Sequence, residues 1–329
     1  MTNNYEFSQN LARKGTPNLY LAANFLEPDD KFRAFLATYA AMRLTDDIVD
    51  DNRSAGNMST LCKQEISAEI DRFIEMFANR KFDDSVPYAQ DIKLAIARFE
   101  IPSWPFIELA GAMKFDIEND RFETFNQFLD YSEGAAVAPA SIFMHLAASS
   151  FDDRGQIVLP EIDIREAARP LALFSYLVHV LRDFKKDFTS GKEPLIYLDK
   201  DTTNMFNIDE NELAKNANGW QQSLKFTNMI KWYFNRLQDY QTKAMDMLEA
   251  IDDRLPEDGR FALRFIYELY SATAAKISDQ QCILIHENLN LSSSEIMLAA
   301  ERASKHSGIS SELVTTRLTA LISSEPISA

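Results

Sequence analysis

The sequence is poor in the residues that build disulfide frameworks and linkers. Its 329 residues include two cysteines, nine glycines and eleven prolines. Cys62 and Cys282 lie far apart and form neither a disulfide framework nor a metal-ligand set, so a reducing compartment, by default the cytosol, is expected. Chains longer than roughly 250–300 residues often divide. No Gly-, Ser- or Pro-rich linker separates two units here, and we therefore expect one domain, 1–329.

Long apolar runs and an excess of basic residues are also lacking. With no run of about 18 apolar residues and no basic N-terminal segment followed by an apolar stretch, neither a membrane span nor a signal peptide is expected. The 34 basic and 50 acidic residues give a net charge of −16, which repels nucleic acid and anionic membranes. We predict a cytoplasmic protein with no nucleic-acid partner and at most peripheral membrane contact. Bound cations could still reverse the local sign for an anionic substrate.

Helical periodicity is what the chain has in abundance. Apolar residues recur at helical spacing nearly throughout and strand-like alternation is rare, which predicts an all-α fold of about ten helices. Thr124 with Gln127 and Ser292 with Glu295 have the spacing of a capping box. Pro28 precedes an acidic first turn, which marks a further helix start.

Three segments are too apolar for ordinary surface helices: 134–148, 167–181 and 261–277. A helix that is apolar all round is normally buried, either at the centre of a bundle or as the wall of an apolar cavity. In the first segment Pro139 lies among small residues and is expected to kink the helix and leave room for a ligand. In the third, Tyr267 and Tyr270 are candidates for contacting a bound cation, although such residues more often belong to the core.

An acidic cluster follows the amphipathic segment that ends at Arg43. On a helix Asp46 and Asp50 share one face, and Asp47 and Asp51 share another. Like charges at this spacing destabilise a helix, and the macrodipole disfavours anions near a helix C-terminus. Taken alone, such a run is often a solvated helix end. A bound divalent cation would explain the cluster.

A second cluster closes the apolar segment 167–181. There Asp183 and Asp187 share a face, next to Arg182. Two apolar helices that each lead to a carboxylate pair would, if they faced one another, form an apolar pocket with an acidic rim. Carboxylates are hard ligands that suit Mg²⁺, and Mg²⁺ could hold a diphosphate at that rim and stabilise its departure.

The remaining features of this pocket fit the same chemistry. Arg43 and Arg182 could add bidentate phosphate contacts. The apolar and aromatic wall would exclude water and stabilise a carbocation. The sequence thus predicts ionisation of a substrate that carries both a diphosphate and an apolar chain.

The two clusters resemble motifs of the squalene/phytoene synthase family, the head-to-head trans-prenyl transferases. Segment 39–50 is similar to the first aspartate-rich motif, matching at Tyr39, Arg43, Asp46, Asp47 and Asp50. Segment 181–187 is similar to the second, matching at Leu181, Arg182, Asp183 and Asp187. Weaker similarity at Tyr20, Tyr131 and 196–198 extends the resemblance over about 15–285, with a C-terminal helical extension at about 290–329.

The resemblance implies a single-domain isoprenoid synthase, that is, a class I terpenoid synthase bundle around a central apolar cavity. It implies condensation of two farnesyl or geranylgeranyl diphosphates through a cyclopropyl diphosphate to a squalene-, dehydrosqualene- or phytoene-like product. It also implies two or three Mg²⁺ ions and leaves NADPH use open. The residues concerned are, as metal ligands, Asp46, Asp47, Asp50, Asp51, Asp183 and Asp187; as catalytic residues, Tyr39, Arg43, His179 and Arg182; and as substrate-binding residues, Tyr20, Tyr131, Glu133, Tyr176, Lys186 and Tyr267.

Several positions depart from the family pattern. His179 stands where Asn is usual, Tyr176 where Gln is usual, and Leu195 where Arg is expected. His179 is either a hydrogen-bonded partner of Asp183, a donor to diphosphate or a base that takes a proton from a carbocation. Glu133, in a segment lacking the family's second Tyr and its small-residue pattern, is either a pocket carboxylate or a solvent-facing residue.

These departures leave alternatives for the outcome of the reaction. One is a terpene synthase, or an enzyme that stops at the cyclopropyl diphosphate. Another is a non-catalytic family member that acts as an assembly or scaffold protein, which would be expected to have lost its core aspartates. The sequence retains all of them, and its oligomeric state is left open.

Overall fold

The fold is built almost entirely of α-helices, as predicted. The computed structural model describes residues 4–15, 17–189, 192, 195–218, 222–284 and 289–324. Within them the helices are α1 Asn4–Gly15, α2 Pro17–Ala23, α3 Asp29–Ala55, α4 Thr60–Ala78, α5 Ala89–Phe99, α6 Trp104–Glu118, α7 Phe125–Ser132, α8 Ala138–Ala148, α9 Ile164–Thr189, α10 Lys200–Met205, α11 Glu210–Asn218, α12 Leu224–Ile251, α13 Glu257–Asp279, α14 Ser293–Ser304 and α15 Ser311–Ser324. The expected number of about ten was too low, because short helices such as α2 and α10 are separate elements.

The described strands are two residues each and form a small antiparallel hairpin. Strand β1, Ser150–Phe151, pairs with β2, Ile157–Val158. Elsewhere in the chain, Asp252–Arg254 form a 3₁₀ turn between α12 and α13. The hairpin connects α8 to α9. It adds little to the helical architecture.

Local capping explains several helix starts. Ser292 and Glu295 form the complete predicted capping box of α14. At α7 only half of the predicted box forms: Thr124 Oγ1 accepts from the Gln127 N–H at 3.1 Å, but the Gln127 side chain accepts from the N–H of Glu123 at 2.6 Å. The Gln127 side chain thus binds the residue before the N-cap and not the N-cap itself. The backbone N–H groups of both Glu123 and Gln127 are still hydrogen-bonded at the start of α7.

The three apolar segments form the middle of the molecule. They lie in α8, α9 and α13, where α8 packs against α9 and α13, and α9 packs against α12 and α13. The approach of α13 to α8 is very close, since a Cβ on Gly259 would lie 1.8 Å from the Ala147 carbonyl oxygen. These helices surround the cavity described below.

A π-helical turn, Glu133–Val137, connects α7 to α8. Pro139 follows it in the first turn of α8, where proline is tolerated. The expected proline kink within one helix is therefore replaced by a π-turn that ends where α8 begins. A Cβ on Gly134 would lie 2.5 Å from the Glu108 carbonyl oxygen, so glycine allows the turn to approach α6. Such turns are frequent at functional sites.

The C-terminal helices belong to the same packing. The continuous hydrophobic core that contains Leu21 and Phe174 also contains Ile296 of α14 and Leu318 of α15. The single-domain organisation stays a prediction, and this shared core supports it. Among the described residues, none of the helices combines the length and apolarity that crossing a bilayer requires.

Candidate active site

An apolar cavity of about 250 Å³ lies between α3, the π-turn, α8, α9 and α13. Aromatic and aliphatic side chains dominate its wall, among them Phe35, Met42, Phe143, Leu171 and Leu263. Phe35 and Phe143 meet edge to face with ring centroids 5.7 Å apart. The cavity has the apolar character expected of a site for a hydrocarbon chain.

An acidic mouth adjoins this cavity. Asp46, Asp47, Asp50 and Asp51 line it from α3, and Asp187 lines it from α9. The cavity and the mouth share the residues Leu19, Tyr39, Met42, Ala135, Pro139, Tyr176 and His179. The apolar space and the acidic rim are thus continuous.

The first aspartate cluster is only partly neutralised by its own arginine. Arg43 Nη1 lies 2.9 Å from Asp46 Oδ2, and Nη2 lies 2.5 Å from Asp47 Oδ1. Burial, with the charge of Asp50, nevertheless raises the pKa of Asp46 to about 7. Burial also raises the pKa of Asp50. These carboxylates therefore crowd one another beyond what Arg43 offsets.

The two carboxylates of the second cluster have pKa values shifted in opposite directions. Asp183 is 2% exposed, and Arg182 holds it with Nε 2.7 Å from Oδ1 and Nη2 2.9 Å from Oδ2. Burial alone would raise the pKa of Asp183, but the hydrogen bond from Arg182 and the positive charge of Arg182 outweigh it and lower the pKa to about 2. For Asp187, burial and the charge of Asp183 raise the pKa to about 7.

The two clusters act on each other across the mouth. The negative charge of Asp50 on α3 contributes to the raised pKa of Asp187 on α9. Of the second pair, Asp187 lines the mouth, whereas Asp183 and its partner Arg182 do not belong to the lining. The carboxylates that face the opening are therefore Asp187 and the α3 cluster.

This donor set fits a divalent cation. Within the described residues no group of three His, Cys, Asp or Glu side chains is already close enough to hold a metal together. Mg²⁺ usually binds through one or two carboxylates and completes its shell with water and substrate phosphates. Asp46, Asp50 and Asp187, whose carboxyl groups have raised pKa values, supply oxygen ligands of that kind.

His179 lies where the cavity meets the mouth. Its Nδ1 is 3.1 Å from Arg182 Nη2 and 3.4 Å from Asp183 Oδ2. Burial lowers the pKa of His179 to about 4, so the ring is neutral near pH 7. Since arginine can only donate, Nδ1 accepts and Nε2 carries the proton. Of the three roles predicted for His179, a neutral ring with a low pKa and a proton on Nε2 favours the hydrogen-bond donor over the base.

A network of buried tyrosine hydroxyl groups and one aspartate lies beside the mouth. The sequence predicted only some of its members. Tyr131 Oη donates to Asp116 Oδ2 at 2.8 Å, and Tyr176 is hydrogen-bonded to both Tyr131 and Tyr197. Asp116 is 5% exposed, and burial raises its pKa well above the usual range. Arg53 Nη1 donates to the Asp116 carbonyl at 2.7 Å.

The missing member of this network was Asp116. Its Oδ1 has no hydrogen-bond partner in the described part of the chain. It shares a buried face of α6 with Ala112, Met113 and Ile117. A carboxylate at helical spacing within an apolar face was the signal that could have identified it, because aspartate is almost never fully buried unless it has a partner.

Two of the predicted substrate-binding tyrosines lie outside both the cavity lining and the mouth. Tyr20 is buried and its hydroxyl accepts from Gln9 Nε2 at 3.1 Å. Tyr267 packs against Phe174 with ring centroids 5.7 Å apart. One turn further along α13, Tyr270 lines the cavity instead.

Glu133 also lies outside the cavity and the mouth. Its carboxylate pairs with Arg169 Nε at 2.5 Å and with Arg165 Nε at 3.8 Å, both from the start of α9. The structure therefore favours an ion-pair role for Glu133 over a pocket carboxylate. By contrast, Lys186 and Leu195 line the mouth.

Comparison with known proteins first defines the class of fold. The structure is similar to a crystal structure of a dehydrosqualene synthase in complex with ligand, with a TM-score of 0.73 over 92% of this chain and 95% of that chain. At 18% identity this likeness shows the fold, which is the all-α isoprenoid-synthase fold.

The family then follows from the sequence. The squalene/phytoene synthase profile matches residues 12–295, and the chain belongs to that family. The 15-cis-phytoene synthase of Synechocystis sp. is 26% identical over 234 residues, 68% of this chain and 64% of that protein. The chloroplastic phytoene synthase of Narcissus pseudonarcissus is 23% identical over 211 residues, 63% of this chain and 46% of that protein. The chain thus spans about half to two thirds of the length of these relatives. The family uses a divalent metal to ionise prenyl diphosphates.

Proposed function

We propose that this protein is a Mg²⁺-dependent prenyltransferase that condenses two prenyl diphosphates head to head. The observation that carries the proposal is the continuity of a 250 Å³ apolar cavity with a mouth of crowded carboxylates. A prenyl diphosphate has the same two parts, an apolar chain and a polyanion. Membership of the squalene/phytoene synthase family supports the same reaction.

The mouth binds the diphosphate end of the substrate. Asp46, Asp50 and Asp187 would hold two or three Mg²⁺ ions, which when bound neutralise the diphosphate and stabilise the charge that develops as it leaves. Lys186 lines the same mouth and offers a cationic donor. Arg43 keeps Asp46 and Asp47 in place and offers its guanidinium edge to phosphate.

The cavity binds the prenyl chain and shields the carbocation. The rings of Phe35, Tyr39 and Tyr270 line it and can stabilise positive charge through their π faces. Burial in the apolar wall keeps bulk water away from the reacting carbons. The reaction proposed here passes through a cyclopropyl diphosphate to a squalene-, dehydrosqualene- or phytoene-like product, and NADPH dependence would separate the first of these from the other two.

The direct test is product formation by the purified protein. Farnesyl and, separately, geranylgeranyl diphosphate are supplied with Mg²⁺, with and without NADPH, while diphosphate release and organic products are measured. A hydrocarbon with twice the carbon count of the substrate would support head-to-head condensation. A cyclic product with the substrate's own carbon count would identify a terpene synthase. Without diphosphate release from either substrate, the proposal fails and the non-catalytic alternative stands.

A matched pair of variants tests the mouth. Asp50→Asn removes one carboxylate and should lower diphosphate release by about 100-fold or more, as the loss of one electrostatic stabiliser typically does. Asp71→Asn makes the same chemical change on α4, where Asp71 is exposed and pairs with Lys114 at 2.5 Å. It should retain wild-type release. Equal loss in both variants would contradict the assignment of the mouth.

A further inference from the structure

A separate cavity, of about 320 Å³, lies between α1, α3 and α5. It shares no lining residue with the apolar cavity or with the acidic mouth described above. Ala34 and Ala37 of α3 and Ala95 of α5 line it, and these small side chains leave room between the helices. Leu94 and Phe99 of α5 add apolar surface. The space and its wall therefore suit a small molecule with an apolar body.

Two polar groups of this cavity have no partner in the described part of the chain. Ser8 is 1% exposed, and its buried Oγ makes no hydrogen bond there. Asp91, in the first turn of α5, is half-buried, and no described residue donates a hydrogen bond to its carboxylate or forms an ion pair with it. Burial raises the pKa of Asp91, and the charge of Arg33 offsets the rise only in part. Buried polar groups are normally hydrogen-bonded, so both groups are available to a ligand.

The two arginines that line the cavity already have carboxylate partners. Arg33 Nε lies 2.7 Å from Asp29 Oδ2. Arg98 Nε lies 3.7 Å from Asp30 Oδ2. With these two pairs formed, Asp91 is the uncompensated charge among the described residues of the lining. Electrostatic complementarity therefore favours a cationic ligand over an anionic one, as does the net charge of −16 of the whole chain.

We propose that the cavity between α1, α3 and α5 binds a small organic cation, a protonated amine on an apolar or aromatic body. The ammonium group pairs with the Asp91 carboxylate, and the Ser8 hydroxyl accepts a hydrogen bond from the same ligand. The apolar body lies against Leu94, Ala95 and Phe99. This site is distinct from the acidic mouth and does not depend on the proposed function.

Titration calorimetry with 2-phenylethylamine as the probe tests the site. Saturating Mg²⁺ and inorganic diphosphate are present throughout, so that the acidic mouth holds other ligands. We expect a Kd of about 1 mM or lower, which nine non-hydrogen atoms can readily supply. The probe 3-phenylpropanoate carries a carboxylate on the same body and should bind at least about tenfold more weakly. Equal binding of the two probes would overturn the proposal, as would no binding of the amine at about 10 mM.

Two matched pairs of variants locate the binding. Asp91→Asn should weaken binding of 2-phenylethylamine at least about tenfold, because a charged hydrogen bond is lost, and Ser8→Ala should weaken it about fivefold. Asp71→Asn makes the first change at an exposed position of α4. Ser141→Ala removes a buried hydroxyl that already donates to the Val137 carbonyl at 2.7 Å. Both control variants should bind the amine as the wild type does.

The other outcomes separate this site from the mouth. Binding that is retained in Asp91→Asn but lost in Asp50→Asn would place the amine in the acidic mouth, which overturns the proposal and leaves the prenyltransferase function intact. Losses of the same size in the control variants would show a general effect of substitution and also overturn it. A protein that releases no diphosphate from either prenyl substrate, yet binds the amine through Asp91, would sustain this site while the proposed function fails.

Discussion

Replacing Asp46 by asparagine should stabilise the metal-free protein at alkaline pH, at the expense of function. Burial and the charge of Asp50 raise the pKa of Asp46 from 3.8 to about 7, a shift of about three pK units. At about 1.4 kcal/mol per unit, ionising Asp46 in the folded protein costs up to about 4 kcal/mol. Asp46 is 29% exposed and loses its ion pair with Arg43 in the variant, so we expect a net gain of roughly 1–2 kcal/mol.

The sign of the effect fixes its pH dependence. A carboxyl whose pKa is higher in the folded than in the unfolded chain stabilises the fold at low pH, and this stabilisation is lost as the pH rises through the folded value. For Asp46 the window runs from 3.8 to about 7. The advantage of Asp46→Asn should therefore be small at pH 5, grow towards pH 7 and remain constant above it.

Thermal unfolding in the presence of a chelator measures this advantage. At pH 8 the midpoint of Asp46→Asn should exceed that of the wild type by roughly 2–3 °C. Asp71→Asn, an exposed position on α4 outside the mouth, is the control and should show little change. A lower midpoint for Asp46→Asn at pH 8, or an advantage that does not grow with pH, would refute the argument that crowded carboxylates destabilise the mouth.

Three further predictions concern the acid limb of activity, the phenol network and the packing of α13. Diphosphate release at low Mg²⁺ should fall as the pH drops through about 7, because Asp46 and Asp187 then take up protons. Saturating Mg²⁺ should shift this loss of activity to lower pH. If the pH at which activity is lost did not depend on the Mg²⁺ concentration, the assignment of these residues as metal ligands would be contradicted. Asp116→Asn should retain most of the activity because an amide can still accept from Tyr131, whereas Asp116→Ala should lose about tenfold; equal losses in a release assay would argue against a hydrogen-bonding role. Gly259→Ala should destabilise the protein by about 2–3 kcal/mol in denaturant unfolding because its Cβ would meet the Ala147 carbonyl, and an unchanged midpoint would show that α8 and α13 can separate.

The sequence was sufficient for the helical fold and for the two aspartate clusters. Helical periodicity is a local property of the chain, and it identified the apolar segments that became α8, α9 and α13. The spacing of Asp46 to Asp50 and of Asp183 to Asp187 determines which carboxylates share a helix face. Each pair is defined by residues within about one helical turn, and it can therefore be predicted from the sequence alone.

Features that depend on contacts between distant segments could not be predicted in this way. Glu133 pairs with arginines more than thirty residues further along the chain, and Asp116 meets Tyr131 only because α6 packs against the π-turn. The choice of Tyr270 over Tyr267 as a cavity residue depends on the rotation of α13 about its axis. The two residues are one helical turn apart, and the periodicity of the sequence does not show which of them faces the cavity.

The two aspartate clusters are electrostatically unequal, and this inequality bears on how a cation would bind. Asp183, with its pKa lowered to about 2, already has Arg182 as a counterion, so a cation gains little there. Asp46 and Asp187 have pKa values near 7 and belong to different helices, and the charge of Asp50 adds to the repulsion at Asp187. A divalent cation in the mouth removes repulsion on α3 and α9 together, and each proton it displaces comes from a group that is half protonated near neutral pH. Metal binding at pH 7 should therefore release protons, a consequence of the same crowding that makes the metal-free mouth unstable.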